Sequence, residues 1–533
     1  MHADRPPLVA AAWDSFLKGA RTAPLDPLEF FRYVAETVPG YRRFLDERGI
    51  HPASIVTAAD FDTLPLLTKD TYHRRYRLGQ LCRGGSLDGC DMIAVSSGSS
   101  GQPTPWPRSV IDELAIAARF EQVFRDAFRA DQQTTLAVVC FPFGTWVGGL
   151  YTVTCIRHLN AKGYPVTVVA PGNNKDEILC VMPELAPNFD QVVLPGYPPF
   201  IKDVVDTGIA TGFDWQAYVV KFVFAGEVFS EECRSLVGLR AGLADPVRDT
   251  AALYGTADAG VLGNETALSV TIRRFLARNP SAAMDLFGQS RLPTLVQYDP
   301  GSRYFQTHDG TLLFTGDNGI PLVRYHISDE GGVVGYDDML AFCERHHFNP
   351  LAGLDSTRNA PNMPFVYLFG RSLFTVSYYG ANIYPENISV GLEQPTVSGW
   401  VTGKFVLETA EDSDRDRILR VVVEVAHGQL ADNHTIACAI RDQLLRLNSE
   451  FAHYVPAHHR LPDIQLRPIS DPDYFPVGVK HRYTRQAVSN LAFPKFRAGA
   501  ADRAHAGFMP DTAWPANGTP ARLIPAPHPN YYY

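Results

Sequence analysis

Ser96-Ser97-Gly98-Ser99-Ser100-Gly101-Gln102-Pro103-Thr104 follows a short apolar run and precedes a long amphipathic stretch. Glycine lets successive backbone N–H groups turn toward one anion, and the serine hydroxyls add donors, so the segment suits a polyphosphate held by neutral groups. The same composition also suits a flexible linker. Its place between two ordered elements, together with three segments further along the chain, favours phosphate handling.

Working outward from this loop, the text from about 110 to 350 alternates between helical stretches and short apolar strands. A helix is predicted over 111–128, with strands at 136–140, 166–170, 222–224 and 253–254. Such alternation argues for an α/β fold with layered sheets and helices and a largely parallel sheet. Ahead of the loop, apolar and aromatic residues recur at helical spacing over 28–47, with a break at Pro39-Gly40. After Gly370 the pattern becomes a small α+β unit, with strands at 419–425 and 464–466 and a helix over 436–451. The expected organisation is a large N-terminal domain (1–370), a mobile C-terminal domain (371–496) and a Pro/Ala-rich tail (497–533), disordered or laid on the surface.

With 533 residues the chain exceeds a single ordinary core, and 45% hydrophobic and 20% charged residues describe a folded protein. A formal charge of −9 argues against nucleic acid as the main partner. Eight cysteines are scattered without a CxxC pair, which suggests neither a disulfide framework nor a thiolate zinc site and fits a reducing cytoplasm. No leader or membrane span is expected, since about 18 consecutive apolar residues occur nowhere. Cys343-Glu344-Arg345-His346-His347 has metal-binding residue types but no distant partner, and is read as incidental.

Three further segments follow the loop in order: Tyr254-Gly255-Thr256-Ala257-Asp258, then Pro321 to Asp329 containing Arg324-Tyr325, then Gly370-Arg371 with Gly380-Ala381-Asn382-Ile383-Tyr384-Pro385. In this order and spacing the set resembles the adenylate-forming superfamily of acyl-CoA synthetases, and within it the phenylacetate-CoA ligase branch. Thr104, where most of the superfamily has lysine, and Leu64-Pro65-Leu66-Leu67-Thr68-Lys69-Asp70 suggest the branch. The resemblance implies ATP, Mg2+ and a small carboxylic acid as ligands, with CoA or another nucleophile accepting the acyl group. A homodimer is among the expected states.

On this resemblance Ser97, Gly98, Ser99, Ser100, Gly101 and Thr104 cradle phosphates, and Asp258 holds Mg2+ where glutamate is usual. Asp329 accepts the ribose hydroxyls, Tyr254 with Gly255 faces the base, and Gly226-Glu227 forms a turn beside the adenine and acyl groups. Lys480 brings a cation to the reacting oxygens, which two approaching anions need. Thr256 and Arg371 complete the catalytic set. An acyl pocket is expected from Phe141, Phe143, Trp146 and Ala225, with core packing as the competing account of the aromatics. Asp258 also fits a turn or helix cap, and Lys480 a solvated surface lysine.

Three departures accompany the resemblance. Leu373 and Phe374 stand where the family hinge carries acids, so transfer to CoA is less secure than adenylation. Ala257 replaces a hydroxyl residue, a loss of about 0.5–1.5 kcal/mol that neighbouring Thr256 can offset. Val479 replaces the glycine before the lysine. The readings that follow are AMP-forming activation with transfer to CoA, the same activation with an amine or carrier-protein thiol as acceptor, and a nucleotide- or acyl-binding protein without turnover.

Overall fold

The computed structural model describes residues 5–19, 23–95, 104–144, 147–226, 228–289, 292–355, 360–371, 376–378, 381–411, 417–448, 451–452, 455–476, 481 and 483–485. Ser96, Ser97, Gly98, Ser99, Ser100, Gly101, Trp146, Glu227, Leu373, Phe374, Lys480 and the whole tail therefore lie outside the described residues.

Strands are numbered along the chain: β1 (Met92–Val95), β2 (Pro105–Arg108), β3 (Thr135–Val138), β4 (Val166–Val169), β5 (Gln191–Gly196), β6 (Val220–Ala225), β7 (Thr250–Thr256), β8 (Gly260–Asn264), β9 (Thr294–Gln297), β10 (Arg303–His308), β11 (Thr311–Gly316), β12 (Leu322–Val334) and β13 (Phe365–Arg371). Eleven of them form one sheet in the order β10-β11-β12-β13-β9-β8-β7-β6-β5-β3-β4. The β4-β3-β5-β6-β7 half is parallel, as the helix–strand alternation predicts. The other half is antiparallel, which corrects the expectation of a largely parallel sheet.

The parallel strands read as continuous apolar runs because both of their faces are covered. Ala137, Val193 and Val223 point into one cluster with the helix Val110–Gln122, while Leu136, Val138, Val192, Leu194, Phe222 and Phe224 point into another. That is the period-two alternation of a strand, with apolar side chains at every position. The helix Val110–Gln122 starts on a reciprocal cap between Ser109 and Asp112, and one π turn (Val123–Ala127) extends it to the predicted end. The N-terminal break falls at Val38, between the helices Pro27–Thr37 and Pro39–Asp46. Their aromatics Phe31, Tyr41 and Phe44 pack with Tyr72 and Tyr325 in a third cluster beneath the antiparallel half.

Past β13, the strands β14 (Val376–Tyr378), β15 (Ala381–Ile383), β16 (Val401–Glu411), β17 (Arg417–Val425), β18 (Asp463–Arg467) and β19 (Thr484–Arg485) build a two-stranded and a four-stranded sheet. The helix Asn433–Leu447 closes a separate apolar cluster around Phe405, Val421 and Ile440. Contacts join this part to the helices on the main sheet: Lys202 donates to the carbonyl of Val401 at 3.0 Å, Arg240 to that of Ser398 at 3.2 Å, and Ser230 is hydrogen-bonded to the half-buried Glu393.

One fully buried ionic network fixes β7 and the chain that follows β6. Arg234 donates to Glu231 at 3.0 Å, to Glu265 at 2.7 Å and to Thr250 at 2.5 Å. Glu265 in turn accepts from the backbone of Ala252 at 2.8 Å, and Arg273 holds Glu231 and the carbonyl of Phe229. Burial alone would raise the Glu231 carboxyl, but Arg234 and Arg273 outweigh it and hold the group below its usual range. Removing one member strands the others without solvent, so Arg234→Ala should cost about 3–5 kcal/mol, read as a lowered urea midpoint.

Candidate active site

Two of the predicted segments are bound to each other by reciprocal hydrogen bonds. Tyr254, on β7, donates to Asp329 at 2.8 Å, and Tyr325, on the same strand as Asp329, donates to Asp258 at 2.7 Å. Both carboxylates are almost wholly buried, Asp258 at 2% exposure and Asp329 at 5%. β7 and β12 are not neighbours in the sheet, so these side chains close a gap that no backbone ladder spans. Arg371 lies directly opposite Asp329 in the β12–β13 register, bringing the third segment to the same place.

The first segment enters through its trailing edge. Thr104 is buried, and β2 pairs antiparallel with β1, so the two strands that flank the loop are held side by side. At its base Arg108, itself buried, donates to the carbonyl of Ala257 at 2.5 Å, and His73 meets the carbonyl of Pro105 at 2.7 Å. Thr256 turns its hydroxyl back to accept from the backbone N–H of Ala259 at 3.1 Å, so it shapes the turn that presents Asp258. At Gly255 a Cβ would lie 3.0 Å from the carbonyl oxygen of Gly260, a tight contact that favours glycine there.

Sequence reasoning used Lys69 only as part of a branch signature, but the structure puts its ammonium 3.2 Å from Asp258. It reaches there because the segment before it is built into the sheet. Leu67 pairs with Tyr325 in a parallel bridge, its N–H donating to Arg324 at 3.2 Å and its carbonyl accepting from His326 at 2.8 Å. β13 covers β12 only from Asp329 onward, so Leu67 completes the part of β12 that β13 leaves open. Arg324 sits in the left-handed region at φ +47°, and its guanidinium donates to the carbonyls of Phe61, Asp62 and Leu64. A non-glycine residue in that conformation costs on the order of 1–2 kcal/mol, which the three carbonyl contacts offset. The order of residues in Arg324-Tyr325 carried a signal, but its partner lay far away in the chain.

Of the acyl-pocket candidates, Phe141 is buried and meets Tyr197 edge-on, with ring centroids 5.2 Å apart. Tyr197 also covers Gly226, which has φ +85° and whose Cβ would lie 2.4 Å from that ring. Phe141, Ala225 and Gly226 are thus gathered around Tyr197, a residue that sequence reasoning missed. Phe143 is partly exposed and lies against Gly149 and Gly172. On the C-terminal side of Lys480, His481 meets the carbonyl of Phe405 at 2.6 Å, and the carbonyl of Tyr483 accepts from Leu407, also at 2.6 Å, so that side rests on β16. Burial pushes the His481 imidazole down to about 4, leaving it neutral beside that carbonyl. Among the described residues no group of three or more His, Cys, Asp or Glu side chains is placed to hold a metal ion.

No protein-family profile matches the chain. It is 24% identical over 333 residues to the phenylacetate-coenzyme A ligase of Aromatoleum evansii, covering 61% of this chain and 68% of the relative. The phenylacetate-coenzyme A ligase of Escherichia coli (strain K12) is 23% identical over 318 residues, 56% of this chain and 63% of that one. Among solved structures, 2-hydroxyisobutyryl-CoA ligase in the postadenylation state in complex with 2-HIB-AMP superposes with a TM-score of 0.60 at 15% identity, covering 88% of this chain and 91% of the other. The fold is that of the adenylate-forming ligases. Both of these sequence relatives are phenylacetate-coenzyme A ligases.

The reciprocal pairs generate a direct test. In a double-mutant cycle of Tyr254→Phe and Asp329→Asn, thermal denaturation should show a coupling of about 0.5–3 kcal/mol, because each change removes the other's partner. Additive losses would mean that the hydrogen bond between them contributes nothing to stability.

Proposed function

We propose that the protein is an AMP-forming ligase that activates a small carboxylic acid, aromatic acids being favoured, with ATP, and passes the acyl group to CoA. The carboxylate oxygen attacks the α-phosphorus, the bond to the bridging oxygen breaks, and pyrophosphate leaves. A thiol sulfur then attacks the acyl carbonyl and AMP departs. The observation that carries this reading is the reciprocal pairing of Tyr254 with Asp329 and Tyr325 with Asp258, which sets two buried carboxylates at one place beside the strands that flank the phosphate loop.

Within that site, Asp329 would take the ribose hydroxyls, which a carboxylate accepts through paired oxygens. Asp258 is suited to Mg2+: it is a hard oxygen donor already facing a cation, Lys69, and magnesium is commonly held by one or two carboxylates together with substrate phosphates. When bound, the ion would spread the charge of the phosphates. Lys69 then becomes available to the phosphates themselves, a role consistent with threonine at position 104 where the superfamily has lysine. Ser97 to Gly101 would cradle the departing pyrophosphate, and Glu227 and Trp146 would border the acyl group beside Phe141 and Ala225. Lys480 would neutralise charge during adenylation, carried by a C-terminal domain (371–496) that moves on the large one (1–370). The eight cysteines are free thiols, which suits a reducing cytoplasmic setting. Leu373 and Phe374 in the hinge favour a second reading, in which an amine or a carrier-protein thiol takes the acyl group.

Pyrophosphate release with a panel of acids tests the activation step, and adding CoA or amines identifies the acceptor. Asp329→Ala should raise the KM for ATP by about tenfold or more, since two charge-assisted hydrogen bonds are lost. Lys480→Ala should cripple acyl-AMP formation yet still consume a prepared acyl-adenylate. Replacing Ser99 and Ser100 together by alanine should lower the adenylation rate more than ATP binding. Unchanged pyrophosphate release in all three variants would refute the site as drawn.

A further inference from the structure

The turn that bears Asp258 is gripped on both sides of that residue. Arg108 donates to the carbonyl of Ala257 at 2.5 Å and Arg303 to the carbonyl of Ala259 at 3.1 Å, so the residues immediately before and after the carboxylate each meet a guanidinium. The two arginines come from strands far apart in the chain, β2 and β10, and both are buried, at 1% and 5% exposure. Arg303 is held in place by the side-chain oxygen of Asn318 at 2.8 Å and by the carbonyl of Asp317 at 3.2 Å. Arg108 closes the strand that leads away from Thr104, at the trailing edge of the phosphate loop.

Among the described residues neither guanidinium forms an ion pair; their acceptors are main-chain carbonyls and the Asn318 amide. The acids that act on Arg303 at longer range are committed elsewhere: Asp112 caps a helix with Ser109, and Asp299 pairs with Arg119 at 3.5 Å. Burial draws the Arg303 guanidinium down to about 10, so it stays charged at neutral pH. Lys69 brings a third cation, 3.2 Å from the Asp258 carboxylate. One buried carboxylate therefore stands among three positive charges, and two of these are buried without a counter-ion. Buried charge is costly unless it is neutralised, and an anion bound beside the turn would supply the missing counter-charge.

We propose that Arg108 and Arg303 are positioning residues that fix Asp258 and, through their unneutralised charge, make the site prefer a nucleoside polyphosphate to the monophosphate. The proposal rests on the ligase reading above and adds to it the selection of ATP over AMP. Buried as they are, the two guanidiniums act through the turn they hold and through their field, not by touching the ligand. Attraction to a fixed charge grows with the charge of the ligand. Metal-free ATP, with about four negative charges at neutral pH, therefore gains roughly twice what AMP gains with about two.

The test replaces each arginine in the full chain by glutamine, which can still donate to a carbonyl but carries no charge, and by lysine, which keeps the charge. Dissociation constants for AMP, ADP and ATP are measured by calorimetry without divalent metal. Arg108→Gln and Arg303→Gln should each raise the constant for ATP by about tenfold and that for AMP by about threefold, with ADP between them, while the lysine variants stay within about twofold of the parent. Equal losses for the three nucleotides in glutamine variants that keep the parent's circular dichroism overturn the proposal, because a purely structural role does not follow the phosphate count. If the glutamine variants do not fold, Arg108→Lys and Arg303→Lys decide: a preference for ATP over AMP that is kept supports the proposal, and one that is lost overturns it. A parent chain that binds none of the three nucleotides overturns the ligase reading and this proposal with it, whereas a parent that binds ATP no more tightly than AMP overturns this proposal alone.

Discussion

Two tyrosine hydroxyls decide where this chain can do chemistry. β7, which runs into the turn bearing Asp258, and β12, which carries Asp329, belong to different halves of the sheet, one parallel and one antiparallel, and their backbones never pair. Tyr254 and Tyr325 span the gap, Tyr254 donating to Asp329 on β12 and Tyr325 to Asp258 in the turn that follows β7. Buried carboxylates without donors are costly, so this exchange satisfies both acids and fixes their separation at once. The surrounding machinery serves that pairing. The Arg234 network sets β7 in place from behind, Arg108 holds the turn that bears Asp258, and Leu67 completes the stretch of β12 around Tyr325.

The parallel half of the molecule was legible from the text because burial on both faces leaves mostly apolar residues, as in Val220–Ala225, where Lys221 is the one polar residue. The antiparallel half was not, and the reason is visible in its composition. Arg303–His308 and Leu322–Val334 carry Arg, His, Asp and adjacent glycines within strands, where propensity argues for turns. Tertiary partners override it: Arg303 is buried against Asn318 and the carbonyl of Ala259, and Thr315 accepts from the N–H of Arg324. The small C-terminal unit read well where its strands were apolar, but the long strand Val401–Glu411 was missed because Lys404, Glu408 and Glu411 interrupt the apolar pattern.

Legibility of the site followed the same division. Tyr254, Asp258, Asp329 and Arg371 could be picked out as residues of ordered motifs, and the structure gathers them. Their pairing could not, since nothing local to either segment says that a tyrosine of one faces an aspartate of the other. Lys69 is the sharper case: its ion pair with Asp258 joins the N-terminal region of the chain to its middle. Tyr197 carried no signal at all, and only the fold shows it lying between Phe141 and Gly226.

The guanidinium of Arg324 has a bearing on how the chain can be cut. It is anchored to carbonyls at residues 61, 62 and 64, and its own backbone receives Leu67 as an extra strand partner. The first seventy residues are thus a keystone of the sheet rather than an appendage to it. A shortened form beginning after Asp70 would uncover the flank of β12, strip the guanidinium of its acceptors and remove the cation facing Asp258 in one step. Dissecting the protein into working fragments is therefore better begun from its other end.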